Sequence, residues 1–307
     1  MSAEIFVLNY NGRAILEECL PSLVLAAEVA ACPLTVIDNV STDDSAEFLK
    51  KNFPKVPVRV TEKNTVLCAF NDAARTSTAD VVFLLNNDLK AEPDFIAPLV
   101  KVFEEHPDAF LAGPRAFTFD GKRYEGSLAK MHFRRGFFGA ETRFPGHETK
   151  IDRPGITMQA GFGAYHRARF LELGGFDDLY LPGTVEDSDL CFRAWKRGWR
   201  CYYEPKSRMF HKGQATFSVH FSRTRLRAIN QRNLHLFIWK NISGSRFWQY
   251  LLWLPIRPLF FLLMGRAEFL WGLLWALPRL PRALVRRFRR PVPHLSDGQV
   301  FAVSEAI

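Results

Sequence analysis

Three acids stand together at Glu186, Asp187 and Asp189, in the run Val185-Glu186-Asp187-Ser188-Asp189-Leu190. The run opens a stretch whose periodicity predicts a helix over residues 187–197, closed by Gly198. The positive end of a helix dipole favours a carboxylate there and helps to keep it ionised at neutral pH. Such a carboxylate can act as a general base, taking the proton of a hydroxyl as its oxygen attacks. Asp187 suits a plain helix cap equally well. A second acid, Asp88, follows the very apolar run 81–85 and closes Asn86-Asn87-Asp88. There it can offer hard oxygen ligands to Mg2+ or Mn2+, although strand ends are also polar wherever they meet water. Asp38 ends another apolar run, ahead of Asn39 and a Ser/Thr-rich turn; its carboxylate either accepts an N–H from a nucleobase or caps the next helix. His211, in Phe210-His211-Lys212-Gly213, is either structural or part of a cationic, flexible site for phosphate.

These residues need a frame. Short apolar runs at 5–10, 34–38, 58–61 and 81–85 read as strands. Amphipathic stretches at 14–27, 70–76 and 93–105 read as helices, with a further helix entered at Ser41 or Thr42. Strands alternating with helices imply an α/β fold around a mainly parallel sheet flanked by helices. Ligands of such sheets bind beyond the carboxyl ends of the strands. Asn9-Tyr10-Asn11, Asp38-Asn39 and Asn86-Asn87-Asp88 all fall at those ends. Residues 117–154, rich in Gly, Arg, Phe and His without a clear period, read as a loop or flap. Order returns at Thr157, with a short helix ending at Gly174-Gly175.

The net charge of +9 is concentrated in residues 246–290, which hold nine arginines, no lysine and the single acid Glu268. The rest of the chain is therefore close to neutral. Arginine interleaved with Trp, Phe and Leu suits an anionic membrane surface better than nucleic acid. No charge-free run there approaches the roughly 20 residues of a spanning helix, so the expectation is interfacial helices. The division expected is residues 1–245 for the α/β domain, 246–290 for the amphipathic membrane-associating segment and 291–307 for a tail. The five cysteines show no CxxC pair and fit buried thiols. With no signal peptide before the first strand, the expected place is the cytoplasmic face of the plasma membrane, held peripherally. There is no GxGxxG after the first strand, no GxxxxGK[ST] and no GxSxG, which argues against dinucleotide dehydrogenases, P-loop enzymes and serine hydrolases.

Six stretches, in this order, carry a family resemblance: VLNYNGRAILEECLPSL, VIDNVSTDDS, VVFLLNNDLKAEPDF, GAYHRARFLELGGFDD, VEDSDLCFRAWKRGW and the surroundings of His211. Together the chain resembles family 2 glycosyltransferases, particularly their bacterial rhamnosyltransferase-like branch. The resemblance implies a GT-A fold and inverting transfer of a sugar, rhamnose being one candidate, from a nucleotide diphosphate sugar. It implies a lipid-linked or polysaccharide acceptor, and a divalent cation, Mg2+ or Mn2+, as cofactor. Asp187 would be the general base and Glu186 would hold the acceptor. Asp88 and His211 would hold the metal, while Asn9, Asn11, Asp38, Asn64 and Asn87 would line the nucleotide-sugar site. The chain departs from the family at Asn64-Thr65-Val66-Leu67-Cys68-Ala69-Phe70-Asn71, where glycines are usual and this chain has none, and at Asn86, where an acid is usual. Leu181-Pro182-Gly183-Thr184 replaces a loop that is often aromatic. Other readings of the same residues are a nucleotidyltransferase and a membrane-associated nucleotide-sugar-binding protein without catalysis.

Overall fold

The computed structural model describes residues 1–213, 221–289 and 291–307. The N-terminal half alternates β1 (Ala3–Asn9), α1 (Arg13–Val29), β2 (Leu34–Asp38), α2 (Ser45–Asn52), β3 (Val58–Val60), α3 (Ala69–Thr76), β4 (Val81–Asn86), β5 (Leu89–Ala91) and α4 (Ile96–Glu105). β1 pairs in parallel with β2 and β4, and β2 with β3. Ile5, Val7, Val36, Val81, Phe83 and Leu85 are buried, as continuous apolar strands covered by helices on both faces must be. α2 begins at Ser45 rather than at Ser41 or Thr42. Those two residues are held in the preceding turn by Asp38 and Asn11, so they cannot start a helix.

The sheet continues through β6 (Ala109–Thr118), β7 (Tyr124–Gly126), β10 (Gly155–Thr157), β11 (Gly163–His166) and β12 (Arg200–His211), reached after the hairpin β8 (Lys130–Arg134) and β9 (Phe137–Glu141). β11 runs antiparallel between β4 and β6, which makes the ten-stranded sheet mixed. The stretch 117–154, expected as a loop or flap, is thus strand-bearing. Met131, Phe137 and Phe138 enter the core, and the Phe138 ring stacks on Phe237 at 4.0 Å. Its apolar residues answer to a distant helix, so no local period betrays them.

Helices α5 (Arg167–Glu172) and α6 (Glu186–Lys196) precede β12, and α7 (Arg223–Asn241) follows it. The chain ends in α8 (Gly244–Trp253), α9 (Ile256–Leu263), α10 (Glu268–Ala276), α11 (Leu280–Arg289) and α12 (Asp297–Ala306). Residues 246–289 share the core of the α/β unit: Tyr250, Ala276 and Ala283 are fully buried with α6 and α7, joined by Val300 and Phe301 of α12. At Gly272 a Cβ would stand 2.4 Å from Gln231 Cβ and 2.9 Å from the Arg232 nitrogen, so α10 meets α7 backbone to backbone. Arg290, the last residue of the expected membrane segment, lies outside the described residues. Among the described residues no helix is long and apolar enough to cross a membrane.

The arginines of this segment are turned largely inward. Arg282 and Arg286 pair with Asp178, and Arg286 also with Asp177. Arg279 donates to the carbonyls of Leu179 and Leu181, and Arg287 to those of Trp239 and Ile242. Large apolar side chains face outward, Trp248 at 71% exposed, Leu252 67%, Leu263 81% and Phe288 82%, with Arg282 and Arg266 half-exposed among them.

Candidate active site

The ends of β1, β2 and β4 are tied by a chain of side-chain hydrogen bonds. Asn87 Nδ2 donates to Asn9 Oδ1 at 2.7 Å, and Asn9 Nδ2 donates to Asp38 Oδ2 at 3.0 Å. The other Asp38 oxygen accepts from the Ser41 backbone at 2.8 Å. Asn9 is fully buried and Asp38 is 3% exposed. Asp38 does not cap α2, whose N-cap is Asp44; one of its oxygens holds the turn after β2 and the other holds Asn9 of β1. Asn11 stands at φ 45°, its Oδ1 accepting the Thr42 N–H at 2.6 Å and its own N–H donating to Ser41 Oγ at 2.9 Å. Asn9, Asn11, Asp38 and Asn87 thus form one brace beneath the strand ends.

Gly12 belongs to the same brace and carries no signal in the sequence beyond being a glycine after a strand. A Cβ there would meet Asn87 Nδ2 at 2.1 Å and Asn9 Oδ1 at 2.6 Å. Gly12→Ala is expected to cost about 1–3 kcal/mol through overpacking. Gly155→Ala, where a Cβ meets nothing within 4 Å, should stay within about 0.5 kcal/mol of the parent. Urea denaturation of the two variants separates the cases.

Asn64 is exposed and organises the glycine-free loop. It accepts from Asn39 Nδ2 and from the Val66 N–H, both at 2.9 Å. Asn39, buried at 1%, also accepts from Thr61 Oγ1 at 3.0 Å. Val66 sits at φ 50°, a left-handed conformation costly for a β-branched residue. The backbone therefore keeps the shape a glycine would take, with a side chain imposed on it.

His211 is brought to Asp88 by sheet pairing. β12 runs antiparallel to β5 with His211 opposite Leu89, and the Lys212 N–H donates to the Asp88 carbonyl at 3.0 Å. His211 Nε2 lies 3.4 Å from Asp88 Oδ2 and its Nδ1 lies 3.2 Å from Glu125 Oε2. Burial opposes a charge on His211, yet hydrogen bonds to the two carboxylates prevail and raise its pKa to about 9. Glu125 lies on β7, inside the stretch expected as a flap. Lys212 pairs with Glu18, so the cation next to His211 already has an anion.

The other buried oxygen of Asp88 has no hydrogen-bond partner among the described residues. An unpartnered carboxylate oxygen fits a divalent cation whose remaining ligands come from diphosphate and water, which His211 would join only as a neutral imidazole, its proton displaced by the metal. The protein does not supply a full cage: among the described residues no three or more His, Cys, Asp or Glu are gathered at metal-holding distance.

Glu186 and Asp187 open α6 as expected. Val185 at φ 71° and Thr184 at φ 74° turn the chain sharply into the helix. Asn233 of α7 holds that turn, its amide donating to the carbonyls of Tyr180, Gly183 and Thr184 at 2.8, 2.6 and 2.9 Å. Arg232 adds a bond to Leu181 at 2.7 Å. Beneath them Asp189, fully buried, accepts from Arg193 and Lys240 at 2.8 Å and from Asn241 at 2.7 Å. These α7 residues could not be found from sequence, since nothing near them signals the loop they hold.

Glu186 Oε2 and Asp187 Oδ1 are both buried without a partner among the described residues. Burial works against the expectation that the helix start keeps Asp187 ionised. Burial pushes the Glu186 carboxyl up to about 7, and burial with the neighbouring Glu186 charge raises Asp187 well above the usual carboxylate range. A helix dipole contributes about 0.3–1 kcal/mol at an exposed terminus. Removal from water works against that contribution and disfavours the ionised form.

The two acid centres are linked through Gly161-Phe162. A Cβ at Gly161 would stand 3.4 Å from Asp187 Oδ2, and the next ring, Phe162, packs on His211 with centroids 5.5 Å apart. Gly161-Phe162 therefore touches both centres, Asp187 through Gly161 and the His211 of the Asp–His pair through Phe162.

Comparison with known proteins accords with this geometry. The chain is 27% identical over 148 residues to the glucosyl-dolichyl phosphate glucuronosyltransferase of Haloferax volcanii, covering 45% of each chain. It spans less than half the length of the curated relatives it matches. Its fold resembles that of GalNAc-T7, solved with UDP, GalNAc and Mn2+, with a TM-score of 0.58 and 17% identity over 80% of this chain and 49% of that one. It also resembles the mannosyltransferase PcManGT of Pyrobaculum calidifontis, solved with GDP-Man and Mn2+, with a TM-score of 0.53 and 16% identity over 99% of this chain and 79% of that one. The architecture is the GT-A type expected from the motifs. The family model for glycosyl transferase family 2 matches residues 4–167, more than half of the chain, and the chain belongs to that family.

Proposed function

We propose that this chain transfers a sugar, with inversion, from a nucleotide diphosphate sugar to a hydroxyl of a lipid-linked or polysaccharide acceptor. The observation that carries the reading is the pair of separate acid centres linked through Gly161-Phe162, each holding a carboxylate oxygen with no partner among the described residues. Inverting displacement needs that separation. The leaving diphosphate departs on one face of the sugar while the acceptor oxygen enters on the other, where a base must wait. Asp187 takes the hydroxyl proton, and Glu186 beside it orients the acceptor. Asp88 and His211 would hold a divalent cation, which supplies charge neutralisation to the leaving diphosphate. Gly161 leaves room against Asp187 for the reacting groups. Relatives in fold bind UDP with GalNAc, or GDP-Man, together with Mn2+, which supports a nucleotide-sugar donor. The donor sugar, rhamnose among the candidates, is set by the loop that Asn39 and Asn64 hold.

The same reading places the enzyme peripherally at the cytoplasmic face of a membrane. Its support is the exposed apolar surface of α8 to α11, larger than scattered single residues on an ordinary surface.

The pH dependence tests the base. An acid whose pKa is raised in the folded protein is protonated, and inactive as a base, below that raised value. With Asp187 raised well above its usual range, kcat/KM should fall tenfold per pH unit as the pH drops through that raised value. A profile level down to pH 5 would contradict the assignment.

A further inference from the structure

We propose that Arg232 and Asn233 of α7 are positioning residues for the Glu186–Asp187 pair, acting through the turn that enters α6. The proposal rests on the glycosyl-transfer reading, in which Asp187 is the base. The turn cannot hold itself. Thr184 at φ 74° and Val185 at φ 71° are consecutive residues in the left-handed region, which is costly for β-branched side chains. Val185 also stands at the N-cap of α6, where its apolar side chain offers no acceptor to the first N–H groups of the helix. Glu186 and Asp187 follow these two residues directly, so a relaxed turn shifts both carboxyl groups. Asp187 has little room to shift, since a Cβ at Gly161 would already stand 3.4 Å from its Oδ2.

α7 supplies what the turn lacks. Asn233 is fully buried, and its Nδ2 stands 2.8, 2.6 and 2.9 Å from the carbonyl oxygens of Tyr180, Gly183 and Thr184. An amide can meet carbonyl oxygens only with its nitrogen, and its far side fixes that orientation. There Arg232 Nε, a group that only donates, donates to Asn233 Oδ1 at 2.9 Å. The same guanidinium donates to the Leu181 carbonyl at 2.7 Å and to that of Tyr180 at 3.3 Å. Arg232 is 7% exposed, and among the described residues its acceptors are these neutral oxygens alone, with no carboxylate. Burial and the neighbouring Arg279 lower its pKa to about 10. A buried charge without a counter-charge does not serve stability. What this one does is lock the Asn233 amide and, through it, the turn that aims the two acids.

Asn233→Asp and Arg232→Lys in the full chain test this, by steady-state kinetics over a panel of nucleotide sugars and by hydrogen–deuterium exchange. Aspartate keeps the volume of asparagine and gives Arg232 the carboxylate it lacks, so Tm should hold. It cannot donate to the three carbonyls when ionised, so kcat should fall about a hundredfold, the loss expected for reacting groups misplaced by an ångström. KM for the nucleotide sugar should stay within about twofold, because Asp88 and His211 are untouched. Lysine keeps the charge of Arg232 and loses its fork, and kcat should fall about tenfold. In both variants the amides of Gly183 and Asp189, which donate to Tyr180 and Val185 in the parent, should exchange faster. Parental exchange over residues 180–190 in both variants would overturn the proposal. So would a loss of activity that follows Tm, with kcat per folded molecule unchanged. If Asn233→Asp does not fold, Arg232→Lys decides by the same two readouts. If glycosyl transfer itself is wrong, the parent will turn over no nucleotide sugar, yet exchange will still rise in the variants. If only the positioning role is wrong, both variants will keep the parental kcat.

Discussion

Asp187→Asn should lower kcat/KM for sugar transfer by about a thousandfold while leaving stabilisation by the nucleotide sugar unchanged. The magnitude is that of a general base removed from a positioned hydroxyl, about 10²–10⁴-fold. An amide keeps the volume and cannot accept the proton. Asp187 makes no hydrogen bond through Oδ1 among the described residues, so the substitution breaks no contact there. It also removes a carboxyl whose ionised form is disfavoured by burial and by Glu186. The variant should therefore be at least as stable as the parent above neutral pH, where the parent must ionise a buried group. Steady-state kinetics with a thermal-shift control separates the two effects. Near-parental turnover in Asp187→Asn would remove Asp187 from the chemistry and leave Glu186 as the candidate.

The second large effect concerns the C-terminal helices. A chain ending at Ser245 should fail to fold, rather than lose only its attachment to lipid. The removed part contributes Tyr250, Ala276, Ala283, Val300 and Phe301 to the buried core, each of the larger side chains worth about 1.5–3 kcal/mol of burial. It also removes Arg286 and its pairing with Asp177, which shares Lys240 with the buried Asp189. Stripping one partner from a buried ion network costs about 3–5 kcal/mol. Together these exceed much of the roughly 5–15 kcal/mol that holds a domain folded. Leu263→Glu combined with Phe288→Glu is the discriminating alternative, since both residues are more than 80% exposed. That variant should keep its Tm and lose flotation with phosphatidylglycerol vesicles. A soluble, cooperatively folding chain ending at Ser245 would contradict the packing account.

The contrast marks what a sequence reveals. β1, β2 and β4, with the helices between them, were legible because a buried parallel strand is a continuous apolar run and its helix follows at once. The places of Asp38, Asp88 and Glu186-Asp187 were legible because each follows an apolar strand or opens a periodic helix. Glu125, Arg232, Asn233 and the β8–β9 hairpin were not, because each is defined by a partner scores of residues away. The arginines of 246–290 show the same limit from the other side. Their spacing suggested an outward basic face, whereas Asp177, Asp178 and the carbonyls of the Leu179–Leu181 turn draw them inward. Burial accounts for the remaining difference: the position of Asp187 was readable, its protonation was not, since desolvation depends on what the fold brings around it.

One measurement bears most directly on the central claim of metal-assisted sugar transfer from a nucleotide diphosphate sugar. Release of nucleoside diphosphate is followed by chromatography across a panel of nucleotide sugars, with Mg2+, Mn2+ or EDTA, for the parent and for Asp88→Asn. The prediction is release from at least one nucleotide sugar with a divalent cation, abolished by EDTA and reduced at least about a hundredfold in Asp88→Asn. Release that is indifferent to both EDTA and Asp88→Asn, or no release and no stabilisation with any nucleotide sugar, would contradict it.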